Sequence, residues 1–390
     1  MTPSPRYDWT LECSTCATTA EAGGLPTVCP SCAQPWLVRY CRAMPPGPAA
    51  DALAGPAAGH GMWRYRPWLP LVTGEEPVSL GEGGTPLLRL SRTGDQLGFA
   101  ELWLKDEATN ATGSFKARGL AMAVTRAVYG GAESFVVPTA GNAGVALSAY
   151  AARAGKRAKI FAPATTPPTI LAQIRWFGGD LELLDGHIGD CGKAAIAYAD
   201  QTGAYPVNTL REPYRIEGKK TMGLELAEQF GWTLPDAVIY PAGGGTGLIG
   251  MWLAFRQLLE AGWVQGRLPR LYAVQSAGCA PVVKAFEAGA QQTQAWPEPW
   301  TVASGLRVPA PLGGALMLRA IRESGGGALA VTDAELSERA RVVSAQEGID
   351  LSPEGGATLA AAAALLKAGA IRPEERVVLF NTGAGWLYRP

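Results

Sequence analysis

Lys116 stands at the start of a helical pattern, just behind Thr112 and Ser114, residue types that cap helices. The first turn of a helix carries partial positive charge. A lysine there implies a nearby anion, or a neutral role such as an imine. A solvated surface lysine is the plainer reading, and three other stretches argue against it.

The loop "YPAGGGTGLIG", residues 240 to 250, has a strand pattern before it and a helix pattern after it, and five of the eight residues from Gly243 to Gly250 are glycine. Such a loop presents N–H groups to an anion with no side chains in the way. An ordinary strand-to-helix turn needs one or two glycines. Gly245, Gly247 and Gly250 also match the dinucleotide spacing, but no aspartate or glutamate lies between Glu260 and Glu287 to hold a ribose.

Thr139, Gly141 and Asn142 form a further strand-to-helix turn, which can offer N–H groups to a carboxylate and an amide to a phenolic oxygen. Thr382 follows the late strand pattern "RVVLFN", where a hydroxyl can face an aromatic nitrogen without demanding its protonation. An imine-forming lysine, an anion cradle and a late hydroxyl are the parts needed to hold pyridoxal 5'-phosphate.

The stretches "GEGGTPLLRL", "TGSFKARG", "TAGNAGVALSAYAARAG", "EPYRIEGKKTMGLELAEQ", "YPAGGGTGLIG", "LSPEGGATLA" and "NTGAG" stand in the order found in the β-family, or fold type II, of pyridoxal-phosphate enzymes. Over about residues 80 to 390 the chain resembles that family, and within it most closely the threonine synthases. The resemblance implies that Lys116 is the imine lysine, with Phe115 beside it. It implies that Gly243, Gly244, Gly245, Thr246 and Gly247 hold the cofactor's phosphate, that Asn142 meets its 3'-oxygen and that Thr382 meets its ring nitrogen. Thr139, Gly141 and Ala143 would shape the substrate-carboxylate loop.

The implied reaction turns O-phospho-L-homoserine and water into L-threonine and phosphate, a carbon–oxygen lyase reaction. The substrate's phosphate needs cations, and "NTLREPYRIEGKK" supplies Arg211, Arg215, Lys219 and Lys220. Of these, Arg215 matches the family's arginine. Departures keep a second reading open, a threonine or serine ammonia-lyase or another β-elimination or β-replacement enzyme. Ala117 stands where the threonine synthase motif reads Lys-Asp-Arg-Gly, and the glycine cradle looks more like that of the ammonia-lyases. Thr382 points the other way, because ammonia-lyases commonly place serine there.

The elements that must position these residues are legible as alternating apolar runs ("LWLK", "SFVVPT", "AKIFAP", "LELLD", "AVIYPA", "LYAVQS", "RVVLFN") and longer periodic stretches. That alternation predicts mainly parallel sheets in an α/β protein. The expected division is a zinc-ribbon-like segment over 1–45, a large cofactor-binding domain from 46–95 and 206–390, and a small α/β domain over 96–205 carrying Lys116. Residues 44 to 61, rich in proline, glycine and alanine, read as a linker.

In the first segment Cys13 and Cys16 are separated from Cys29 and Cys32 by 12 residues, close to the paired knuckles of a zinc ribbon. Such knuckles commonly place glycine after the second cysteine, where Ala17 and Ala33 stand here, so zinc competes with a metal-free remnant or redox-sensitive thiols.

Lysine plus arginine total 34 and aspartate plus glutamate total 34, a balance without the footprint of nucleic-acid binding. No apolar run suits a signal or a membrane span. The expected partners are a small amino-acid substrate and a second copy in a homodimer, in the cytoplasm, with no nucleic acid and no membrane. A Ser-His-Asp hydrolase would need His60 or His187, the only histidines, and neither lies near a nucleophile-elbow motif.

Overall fold

The structure, a computed structural model, describes residues 7–44 and 61–389, so most of the expected linker, with His60, lies outside the described residues. Three short antiparallel strands, β1 (Trp9–Cys13), β2 (Thr19–Glu21) and β3 (Trp36–Tyr40), make the N-terminal ribbon in the order β2-β1-β3.

Two further sheets follow. One combines β4 (Leu87–Arg89) and β5 (Glu101–Asp106) with four later strands, and the other contains β6 (Ser134–Pro138), β7 (Arg157–Pro163), β8 (Asp180–Leu184) and β9 (Tyr205–Pro206). The later strands are β10 (Ala237–Pro241), β11 (Arg270–Ser276), β12 (Gly327–Val331) and β13 (Arg376–Asn381). The larger sheet runs β12-β11-β10-β13-β5-β4, parallel except for its edge strand β4; the smaller runs β8-β7-β6-β9, all parallel.

The apolar runs behave as expected where the sheets are covered: all of β10 and all but the first residue of β13 are buried. β8 is the exception, an edge strand with no fully buried residue. The expected boundary at residue 96 also needs correction. Glu101–Asp106 pairs in parallel with Arg376–Asn381 and belongs to the larger sheet, so the chain enters the smaller sheet only at Ser134.

The helix Tyr214–Gln229 is buried on every side from Tyr214 to Ala227. It lies between the helix Lys116–Tyr129, the helix Thr246–Glu260 and the ribbon. Glycines allow the closest of these approaches. A Cβ on Gly218 would fall 2.1 Å from the Arg118 carbonyl oxygen, and one on Gly119 would fall 2.8 Å from Lys219 Cε. The ribbon is fixed to the same helix: the Tyr40 hydroxyl donates to Glu217 at 2.6 Å, and the Tyr214 hydroxyl donates to the Ala22 carbonyl at 2.9 Å. Among the described residues no helix is long and apolar enough to cross a membrane.

Candidate active site

All four stretches singled out in the sequence follow the carboxyl ends of parallel strands, where ligands bind in open α/β sheets. The lysine turn follows β5, the Asn142 turn β6, the glycine loop β10, and Thr382 β13. Direct contacts join three of them, and the glycine loop packs on a neighbouring turn. The Phe115 amide donates to the Thr382 carbonyl at 3.0 Å, and Ala384 donates to Gly113 at 2.8 Å. A Cβ on Gly383 would fall 3.1 Å from Asn142 Nδ2. The glycine loop abuts the Ser304–Leu306 turn, because a Cβ on Gly243 would stand 2.1 Å from the Gly305 carbonyl oxygen. In turn Gly305 N donates to Glu354 Oε1 at 2.8 Å.

Lys116 opens its helix with Nζ 3.8 Å from the centroid of the Phe115 ring. Burial, and then the nearby Arg215 guanidinium, lower its amine to about 7, while Glu354 pulls in the opposite direction. A lysine in this state supplies a neutral amine near neutral pH. Burial likewise raises the Glu354 carboxyl.

The rest of the "KARG" stretch anchors that lysine. Arg118 is fully buried and donates to Glu107 at 2.7 and 2.8 Å and to Glu225 at 2.9 Å, while Lys105 donates to Glu225 at 2.6 Å. Two cations and two carboxylates thus balance inside the protein, joining the lysine helix to β5 and to the helix Tyr214–Gln229. Ala117 is also fully buried, packed in an apolar cluster with Leu120, Ala121 and Val124. An aspartate there would lose its water, so packing alone accounts for the alanine.

The residues present suit pyridoxal phosphate. Within the described residues the amides of Gly243, Gly244, Gly245, Thr246 and Gly247 donate to no recorded acceptor, and they surround the N-terminus of a 15-residue helix. Asn142 Oδ1 is buried without a partner there too, while its Nδ2 donates to the Tyr388 hydroxyl at 3.2 Å. Thr139 Oγ1 accepts from Gly141 N at 3.0 Å and so shapes the turn, and the amides of Asn142 and Ala143 have no recorded acceptor.

The cations of "NTLREPYRIEGKK" divide sharply. Arg211 is exposed, Lys220 is paired with Glu217 at 2.6 Å, and Lys219 donates to the Phe115 carbonyl. Arg215 is 1% exposed and gives Nη1 to the Val207 carbonyl at 2.7 Å; its Nε and Nη2 are buried without a partner among the described residues. The preceding loop is strained, with Leu210 buried at φ 62°.

A sequence model of the pyridoxal-phosphate dependent enzymes matches residues 78–383. The chain belongs to that family. Its fold is type II, two parallel-rich α/β sheets with a four-cysteine ribbon ahead of them. The threonine synthase of Methanocaldococcus jannaschii is 35% identical over 326 residues, covering 83% of this chain and 80% of the relative. That of Mycobacterium tuberculosis strain H37Rv is 31% identical over 336 residues, covering 85% and 90%. Among solved structures, the threonine deaminase from T.th. matches with a TM-score of 0.65 at 26% identity over 77% of this chain and 92% of that one. Maize serine racemase matches with a TM-score of 0.67 at 23% identity over 77% and 88%.

Sequence reasoning missed three polar groups of the site: Ser304, Glu354 and Tyr388. "LSPEGGATLA" was a visible signal for Glu354. Tyr388 and Ser304 lie in short turns outside the strand and helix patterns, so neither had one.

In the ribbon the four sulfurs of Cys13, Cys16, Cys29 and Cys32 lie within 4.8 Å of one another, with closest pairs at 3.4 to 3.6 Å. Four thiolates around one zinc at about 2.3 Å each require nearly this spacing, so the cluster could hold a metal. Ala17 and Ala33 adopt φ of 57° and 56°. Both knuckles therefore keep the left-handed turn that glycine would favour, despite a side chain.

Proposed function

We propose that this protein is a threonine synthase, converting O-phospho-L-homoserine and water into L-threonine and phosphate. The observation that carries the reading is Arg215, a buried guanidinium in the electrostatic reach of Lys116 whose Nε and Nη2 are uncommitted among the described residues. A buried cation keeps such donors free at high cost unless an anion uses them, and two N–H groups of one guanidinium match two oxygens of a phosphate. The threonine synthases at 31–35% identity support the same reading.

Bound pyridoxal phosphate supplies an electron sink for charge developing at the substrate's Cα. The protein supplies the rest. Gly243 to Gly247 hold the cofactor's phosphate, Asn142 its 3'-oxygen and Thr382 its ring nitrogen. The free amides of Asn142 and Ala143 receive the substrate carboxylate. The neutral Lys116 amine takes protons from the substrate's carbon atoms, and Arg215 grips the phosphate that leaves from Cγ. The homodimer, the cytoplasmic location and the structural zinc belong to the same reading.

An ammonia-lyase is the second reading, favoured by the fold likeness to threonine deaminase. Substitution Arg215→Met separates the two. A threonine synthase loses affinity for O-phospho-L-homoserine by about 100-fold or more. Keto-acid release from threonine or serine that survives Arg215→Met, with no turnover of the phosphorylated substrate by the parent enzyme, places the protein among the ammonia-lyases.

A further inference from the structure

We propose that Tyr388, Ser304 and Glu354 form a hydroxyl-binding subsite beside Lys116, which holds the oxygen carried on Cβ of the amino-acid substrate or product. The identity of that oxygen as the incoming water rests on the threonine synthase reading.

Each group is placed by a different element. Tyr388 ends the short turn Gly385–Tyr388, whose Trp386 amide donates to Asp350 Oδ2 at 2.9 Å and whose Leu387 is fully buried. On the other side, Thr169 Oγ1 donates to the Arg389 carbonyl at 3.3 Å, so this end of the chain spans both sheets' loops. Ser304 begins the turn that backs the glycine loop, and Glu354 lies in the first turn of the helix Pro353–Lys367. Gly305 N fixes one carboxylate oxygen of Glu354 at 2.8 Å.

What these groups leave unsatisfied defines the ligand. Ser304 is 9% exposed and Glu354 3%, yet Ser304 Oγ and Glu354 Oε2 have no hydrogen-bond partner among the described residues. The Tyr388 hydroxyl faces both of these groups and accepts from Asn142 Nδ2 at 3.2 Å, so its own proton is directed at Glu354 and Ser304. Burial and the neighbouring Glu354 hold that phenol far above its ordinary range, so it remains a donor.

One donor, one carboxylate acceptor and one hydroxyl that does both complement a ligand that itself donates and accepts. A water or an alcohol does so. The carboxylate repels a phosphate, which separates this subsite from the anion site at Arg215. Glu354 is also the acidic group that acts on the Lys116 amine, so the bound oxygen would lie beside the group that moves protons.

The test compares L-threonine with L-2-aminobutyrate, which lacks only the Cβ hydroxyl, by titrating each into the holoenzyme and following the cofactor's visible band. The parent enzyme should prefer threonine by about ten-fold or more. Tyr388→Phe should bring the ratio close to one while leaving 2-aminobutyrate affinity unchanged, and Ser304→Ala should lower the ratio by a smaller factor. No preference in the parent, a ratio untouched by both substitutions, or equal losses for both ligands would overturn the subsite. If Tyr388→Phe fails to fold, the ratio in Ser304→Ala decides. Were no threonine made from O-phospho-L-homoserine while Tyr388→Phe still abolished the preference, the subsite would stand and the synthase reading would fall.

Discussion

The Phe115 amide donates to the Thr382 carbonyl at 3.0 Å, joining the residue before the reactive lysine to the residue proposed to meet the cofactor's ring nitrogen, 267 positions later in the chain. One main-chain contact therefore ties the lysine turn to the turn that follows β13. Side-chain substitutions on either residue should leave the frame intact and act on chemistry alone.

Lys116→Ala should abolish the visible absorbance of the bound cofactor and turnover together, while thermal unfolding of the cofactor-free protein changes little. The side chain is in no ion pair among the described residues, so its loss removes no structural partner. A variant that kept the band at the same wavelength would remove Lys116 from the role assigned to it.

The pH dependence has a definite sign. Because the Lys116 amine lies at about 7, capture of pyridoxal phosphate by the cofactor-free protein should rise through about pH 7 as the amine loses its proton. Arg215 lowers that value, so Arg215→Met should move the midpoint up. Glu354 raises it, so Glu354→Gln should move the midpoint down. Stopped-flow rates from about pH 5 to about pH 9, roughly two units either side of that value, read all three.

Arg118 predicts a stability effect. Replacing it with methionine leaves Glu107 and Glu225 to share Lys105 inside the protein, and breaking a buried ion network in this way costs about 3–5 kcal/mol. Urea unfolding of the cofactor-free protein measures it. A loss below about 1 kcal/mol would mean that water reaches the network in solution.

For the ribbon, Ala17→Gly and Ala33→Gly should each favour the folded knuckle by about 1 kcal/mol, or about five-fold in zinc affinity measured against a competing chelator. Both alanines carry the left-handed φ that glycine adopts freely. Unchanged affinity in both variants would show that the knuckles do not close around a metal.

How much of this was legible in the sequence depends on how local the signal is. The glycine run at 243–247 and the lysine behind a capping turn are local patterns with physical reasons, and each follows a strand of the larger sheet. The four cysteines were equally plain, although Ala17 and Ala33 looked like departures until the backbone showed them in the glycine conformation. Sheet membership was harder. Residues 101–106 read as a strand, but their partner, 376–381, lies 275 positions away, and nothing near residue 96 marks the pairing. The free donors of Arg215 were beyond any pattern, since its neighbours Arg211, Lys219 and Lys220 look alike in sequence and differ only in what each one touches.

The most direct measurement supplies the holoenzyme with O-phospho-L-homoserine in water enriched in oxygen-18 and follows phosphate and threonine together. The account predicts equal amounts of the two, with the label in the threonine hydroxyl and none in the released phosphate, because water adds at Cβ while the Cγ–O bond breaks. No threonine, or phosphate carrying the label, would contradict it.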